Sequence, residues 1–145
     1  MEIIAEVILT AKEECSYDDI IINIDNQCAN LSINAFKDGL IQAMVNILTN
    51  SKEAFIDKNI ANAKINIVCK EDSKSIYIKI SDNAGGINKE TLPKVFTPFF
   101  STKTDKHGAG LGLYMTKTIV EEVLDGVLSV QNFNDGAEFT IELPK

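Results

Sequence analysis

Arginine is absent from these 145 residues; the 14 positive charges are all lysines, scattered along the chain against 21 Asp and Glu, for a net charge of −7. So acidic a chain lacks the clustered basic surface that a nucleic-acid backbone demands, which excludes nucleic acid as a partner. Cysteine is scarce. Cys15, Cys28 and Cys69 are far apart, odd in number and form no CxxC pair, so neither a disulfide framework nor a zinc site is expected, and the thiols read as small buried hydrophobes in a reducing compartment. No apolar run approaches the roughly 18 residues of a membrane span, and Met1–Thr10 lacks the basic start of a signal peptide. The expectation is a cytoplasmic chain without direct membrane contact. Linkers, repeats and low-complexity stretches are also lacking. What is present is a 45% hydrophobic content, enough for one domain with a genuine core.

Residues 3–14 have helical spacing at Ile3, Val7 and Ala11 and form an N-terminal helix, either a packing helix or the remnant of a connection, so that 1–18 stands apart from a main domain over 19–145. Two strand-like runs follow, Asp19–Ile24 and Ala29–Ala35, with an Asp25–Asn26 turn signal between them. Residues 38–57 read as a long helix with Ile41, Met44, Val45, Leu48 and Phe55 on its apolar face. Lys64–Cys69 and Ser75–Ser81 alternate with period two around a polar turn at 71–74, a hairpin. After Gly85–Gly86 the chain loses periodicity until a helix at 111–124, whose Leu111, Leu113, Met115 and Ile119 are assigned to the core; a second hairpin pairs Gly126–Asn132 with Ala137–Leu143. This irregular alternation predicts a mixed sheet covered on one face by helices. The aperiodic stretch, with a lid at about 93–110, is long for so compact a domain, and such loops carry function or are disordered.

Three places carry chemistry. Gln42, Asn46, Asn50 and Glu53 line one stripe of the long helix. A solvated face is one reading. Asn, however, costs a few tenths of a kcal/mol in a helix, and two amide oxygens one turn apart suit Mg²⁺, which takes few protein ligands beside substrate phosphates. The stretch ISDNAGGI, 80–87, brings Asp82 off an apolar strand into a turn where Gly85 and Gly86 permit positive φ or a close approach; ordinary turn chemistry and a ligand-binding carboxylate are both open. Finally, Gly108, Gly110 and Gly112 precede an apolar-periodic run. No strand stands before them and no GK[ST] is present, which excludes the dinucleotide fingerprint and the P-loop. Trimmed side chains at a helix start leave free amides for an anion, with a hinge or packing role as alternatives.

Taken in order, N-x-x-x-N on a helix, D-N-A-G-G-I after a strand, F-x-P-F-F in a loop and G-x-G-L-G-L before a helix resemble the catalytic and ATP-binding domain of sensor histidine kinases, over roughly residues 19–145. The resemblance implies that family's α/β (α+β) fold of Bergerat type, a two-layer sandwich in which three helices cover one face of a mixed five-stranded sheet, shared with gyrase, a heat-shock chaperone and mismatch-repair proteins. It implies ATP and Mg²⁺ as ligands, with Asn50 holding the metal, Asn46 supporting it, Asp82 accepting from the adenine amino group and Gly86 against the base. Phe96, Phe99 and Phe100 resemble the box that anchors the ATP lid, Gly108–Leu113 the glycine box whose amides meet the phosphates, and Lys103 a basic lid residue facing the terminal phosphates. Glu53, Ile87, Thr102, Leu111 and Leu113 complete the implied ATP-binding set; Asn46, Asn50 and Lys103 are the implied catalytic residues.

Ala84, Ser51 and Ala137 depart from the family pattern, the last replacing a hydroxyl residue that often supports the adenine-binding Asp. Related ATPases place a Glu at position 46 as general base; an amide cannot take that proton, so transfer to an external acceptor is favoured over hydrolysis. The only histidine, His107, lies within the glycine-rich lid, so the implied phosphoacceptor belongs to a histidine-bearing dimerisation domain elsewhere, with a response regulator downstream and this domain monomeric in isolation. A serine kinase or ATPase of the same superfamily, and a nucleotide-binding interaction module without kinase activity, are the alternatives.

Overall fold

The computed structural model describes residues 2–15, 19–28, 32–33, 37–97 and 112–145. In chain order the elements are β1 (Glu2–Ile3), α1 (Ile4–Glu14), β2 (Ile20–Asn26), β3 (Ser32–Ile33), α2 (Lys37–Lys58), β4 (Ala63–Glu71), β5 (Ser75–Asp82), a 3₁₀ turn (Leu92–Lys94), α3 (Gly112–Thr118) running into a π turn (Ile119–Val123), β6 (Val127–Phe133) and β7 (Gly136–Pro144). Five strands form one sheet in the order β2-β4-β5-β7-β6. β2 and β4 are parallel and every other pair antiparallel. This is the mixed five-stranded, helix-covered sheet expected above.

The period-two alternation of β4, β5 and β7 accounts for the layering. Ile65, Ile67 and Cys69, Ile76, Ile78 and Ile80, and Phe139, Ile141 and Leu143 all point to the inner face and are buried, while Lys64, Asn66 and Lys70 face outward and are exposed. Against the inner face lies α2, which buries Leu40, Ala43, Met44, Ile47, Leu48 and Phe55. Its apolar face is therefore turned relative to the expectation: Ile41 and Val45 sit half-buried at its margin. α1 packs along α2 and contributes Ile4, Val7, Ile8 and Ala11 to the same core. All three cysteines are buried and unpaired, as expected, and burial, with Cys28 beside it, pushes the Cys69 thiol above its ordinary value.

Two local expectations are corrected. Asp25 and Asn26 do not turn the chain; they continue β2, whose partner is β4 across the α2 crossover. Asn26 instead accepts the Cys28 amide at 2.8 Å, placing the turn one step later. Of the run 29–35, only Ser32–Ile33 is described, and it pairs with Glu2–Ile3. Met115 is 48% exposed, because the helix after Gly112 turns the next position, Thr116, into the core instead. Its inward line is Thr116, Val120 and Leu124, with Leu113 and Ile119 half-buried. Leu111 lies outside the described residues.

Candidate functional site

β5 delivers Asp82 at its C-terminal end, where the register with Ile65 sets the side chain on the inner face. The carboxylate is held by three donors. Its Oδ1 accepts the amides of Ala84 at 3.1 Å and Ala137 at 3.2 Å, and its Oδ2 accepts the Ser51 hydroxyl at 2.8 Å. Ser51 belongs to the buried face of α2, so this bond joins that helix to the strand end.

The following turn is fastened from every neighbouring element. Gly85 and Gly86 have φ of 90° and 81°, a region that penalises any other residue. A Cβ on Gly86 would stand 2.9 Å from Asn132 Oδ1. That amide clasps Ile87 twice, accepting from its N–H and donating to its carbonyl at 2.7 Å each. Lys58, at the end of α2, donates to the carbonyls of Ala84 and Gly86 at 2.8 Å each. Asn83 bonds Lys64 N and Asn62 O, and the Gly85 amide reaches Asp135 O at 2.7 Å. Backbone polar groups that a free turn would leave to water are satisfied here by side chains from both flanks, so the turn is a preorganised surface. Ala84 tolerates its side chain because it is buried in the core and keeps ordinary negative φ.

On α2, Asn46, Asn50 and Glu53 are half-buried and Gln42 exposed. Gln42 donates to Asn46 Oδ1 at 2.7 Å, which occupies that oxygen. Asn46 and Asn50 are one turn, about 6 Å, apart along the axis, and Asn50 is next in sequence to Ser51. Among the described residues no three His, Cys, Asp or Glu gather as a metal site. A divalent ion at this stripe would therefore depend on an amide oxygen, water and substrate oxygens, the donor set that suits Mg²⁺.

Near the lid, Phe96 is half-buried with its ring edge-on to Phe139, centroids 6.3 Å apart, and Lys117 Nζ lies 5.3 Å from the same ring. Lys117 also pairs with Glu121 at 2.9 Å, and Glu121 accepts the Leu128 amide at 3.3 Å. Gly112 opens α3, and among the described residues nothing stands within 4 Å of where its Cβ would be; Leu113 packs against the core. Phe99, Phe100, Thr102, Lys103, His107, Gly108, Gly110 and Leu111 lie outside the described residues. The bond from Lys117, with help from the Leu128 amide, holds the Glu121 carboxyl below its ordinary value of 4.5. A lowered folded-state value means stability that is present above pH 4.5 and is lost as the pH falls through the folded value. Glu121→Gln should accordingly be less stable than the parent at pH 7, with the gap closing below pH 4.5 in urea titrations; a gap independent of pH would contradict the assignment.

The sequence singled out Asp82, Gly86, Ile87, Asn46 and Asn50, and the structure brings Asp82 to α2 at Ser51, the residue after Asn50. It also adds Lys58 and Asn132, which no motif marked: a lysine ending a helix and an asparagine in a strand are unremarkable in one dimension. Ser51 had registered only as a departure.

Residues 35–145 match the family described as histidine kinase-, DNA gyrase B-, and HSP90-like ATPase. Among curated proteins the chain is 35% identical over 127 residues to the signal transduction histidine-protein kinase AtoS of Escherichia coli (strain K12), covering 87% of this chain and 20% of AtoS. It is 28% identical over 145 residues to sporulation kinase A of Bacillus subtilis (strain 168), covering 99% of this chain and 23% of that kinase. The chain thus spans under a quarter of the length of these relatives. The catalytic domain of histidine kinase ThkA superposes with a TM-score of 0.79 at 27% identity, over 98% of this chain and 91% of that domain. ThkA has also been solved in complex with the response regulator protein TrrA, matching at 25% identity with a TM-score of 0.74 over 98% of this chain and 39% of that one. The matched family spans the long helix, the glycine turn and the last hairpin, and nearly the whole chain superposes on a kinase catalytic domain: this chain belongs to the histidine kinase-, DNA gyrase B- and HSP90-like ATPase family and is built as the catalytic domain of a sensor histidine kinase.

Proposed function

We propose that this chain binds Mg-ATP between α2 and the Asp82–Ile87 turn and transfers the terminal phosphoryl group to a histidine on a separate dimerisation domain, from which a response regulator receives it. The observation that carries this reading is the 2.8 Å bond from Ser51 to Asp82, which sets the candidate adenine-reading carboxylate one residue away from the candidate metal-bearing Asn50. Asp82 accepts from the adenine amino group, and the Gly86–Ile87 backbone, held by Lys58 and Asn132, forms a firm support under the base. Asn50 would hold Mg²⁺ through its amide oxygen, beside Asn46 and Glu53; the ion, when bound, offsets polyphosphate charge.

Asn46 has its amide oxygen engaged by Gln42 and carries no basic group, so it does not activate water. The acceptor imidazole attacks phosphorus with its own lone pair and ADP leaves, giving phosphohistidine; the protein's task is positioning and charge. We assign the amides of Gly108, Gly110, Leu111 and Gly112 to the phosphates ahead of α3, with Lys103, Thr102 and Phe99 in the lid. Kinase relatives and the ThkA–TrrA complex support the partner assignment. No described helix is long and apolar enough to cross a membrane.

Calorimetric titration with Mg-ADP and a non-hydrolysable ATP analogue should show saturable binding, weakened for the triphosphate by chelation of Mg²⁺. Incubation with a histidine-bearing dimerisation domain and γ-labelled ATP should yield acid-labile label. Failure to bind at millimolar nucleotide overturns the reading. Acid-stable label or free phosphate alone would instead support the serine-kinase or hydrolase alternative.

A further inference from the structure

We propose that Ser51 is a specificity-determining residue: its hydroxyl, arriving from α2, replaces the support that β7 does not supply and leaves Asp82 a single open acceptor position, so that the site reads one N–H of an aminopurine. The proposal rests on the reading of Asp82 as the adenine-binding carboxylate.

The strand register makes the substitution visible. Ser81 pairs with Glu138, so Asp82 and Ala137 are the next cross-strand neighbours on the inner face. A hydroxyl at 137 would lie beside the carboxylate; Ala137 offers only its backbone amide, at 3.2 Å. Ser51 is 1% exposed and donates from the opposite side to Oδ2 at 2.8 Å. An ionised carboxylate has about four acceptor positions. The Ala84 and Ala137 amides use those of Oδ1 and Ser51 uses one of Oδ2, so the described residues leave one. Because the hydroxyl comes from the residue after Asn50, the helical turn that bears the metal-binding candidate also orients the base-reading group. A hydroxyl on β7 would lack that coupling.

Ser51→Ala opens a second position on Oδ2 and releases the carboxylate from α2. Its affinity for ADP should fall about tenfold, the loss of a hydrogen bond to a charged group. Inosine diphosphate, which has a carbonyl in place of the amino group, should be nearly unaffected, so the preference for ADP over inosine diphosphate falls by a similar factor. A merely structural defect would weaken both ligands equally. Adding Ala137→Ser to Ser51→Ala puts a hydroxyl back beside Asp82 and should restore ADP affinity to within about threefold of the parent. In the nucleotide-free protein, amide hydrogen exchange at Ala84 and Ala137 should quicken in Ser51→Ala and slow again in the double variant. An unchanged ADP preference, or equal loss of both nucleotides, overturns the proposal, as does unchanged amide exchange. If the parent chain binds no adenine nucleotide, the reading of Asp82 fails on its own, and the exchange rates alone decide whether Ser51 positions that carboxylate.

Discussion

Asp82→Asn should abolish useful nucleotide binding while leaving the domain folded. The asparagine keeps an Oδ1 to accept the Ala84 and Ala137 amides, bonded at 3.1 and 3.2 Å in the parent. Its amide nitrogen faces Ser51, whose hydroxyl can rotate from donor to acceptor. The local network therefore survives. Toward an adenine amino group, however, the variant presents a donor to a donor. The lost charge-assisted bond and the desolvated, unmatched N–H together amount to about 3–5 kcal/mol, a drop in affinity of at least about 100-fold. Calorimetry with ADP, beside a thermal melt of both proteins, measures this. An affinity within about threefold of the parent at equal stability would remove Asp82 from the site.

The second large effect is on the fold itself. A Cβ on Gly136 would lie 1.7 Å from the Asp82 carbonyl oxygen and 2.5 Å from its carbonyl carbon. Both obstacles are backbone, so no rotamer change relieves them and β5 and β7 must part. Gly136→Ala should cost at least about 3 kcal/mol, seen as a fall in Tm of roughly 10 °C for a domain of this size. It should also weaken nucleotide binding, because the displaced atoms belong to Asp82. Gly112→Ala provides the contrast. It opens α3, and no described residue lies within 4 Å of the added methyl, so it should leave stability unchanged or raise it by up to about 1 kcal/mol. Equal Tm values for the two variants would show that the strand contact is not a constraint.

These two glycines mark the boundary of what one dimension reveals. Both sit in turn-like or helix-start positions, and neither neighbouring sequence says that one is pressed against a carbonyl and the other against none of the described residues. Legible in sequence were the features with a local cause: the alternation of Ile65 to Ile80, whose partners meet across a short turn; the left-handed backbone at Gly85 and Gly86; the amide spacing of Asn46 and Asn50. The turn between β4 and β5 belongs here too, since Asp72 accepts the amides of Lys74 and Ser75 within its own loop at 2.8 Å. Misread were features with a distant cause. β2 runs through Asp25 and Asn26 because β4 supplies a partner along its whole length, and Met115 leaves the core because packing against α2 turns Thr116, Val120 and Leu124 inward instead.

Chain pattern alone was thus sufficient for the layer architecture and the order of motifs, and it nominated the residues proposed to carry chemistry, since periodicity and turn propensity act over a few neighbouring residues. The role of Ser51, the grips of Lys58 and Asn132 on the glycine turn, and the junction of Asp82 with the Asn50 helix were decided by tertiary packing. Each joins residues 26 to 45 positions apart, or 31 for Ser51 and Asp82, and only the registry of α2 and β6 against β5 brings their polar atoms within bonding distance.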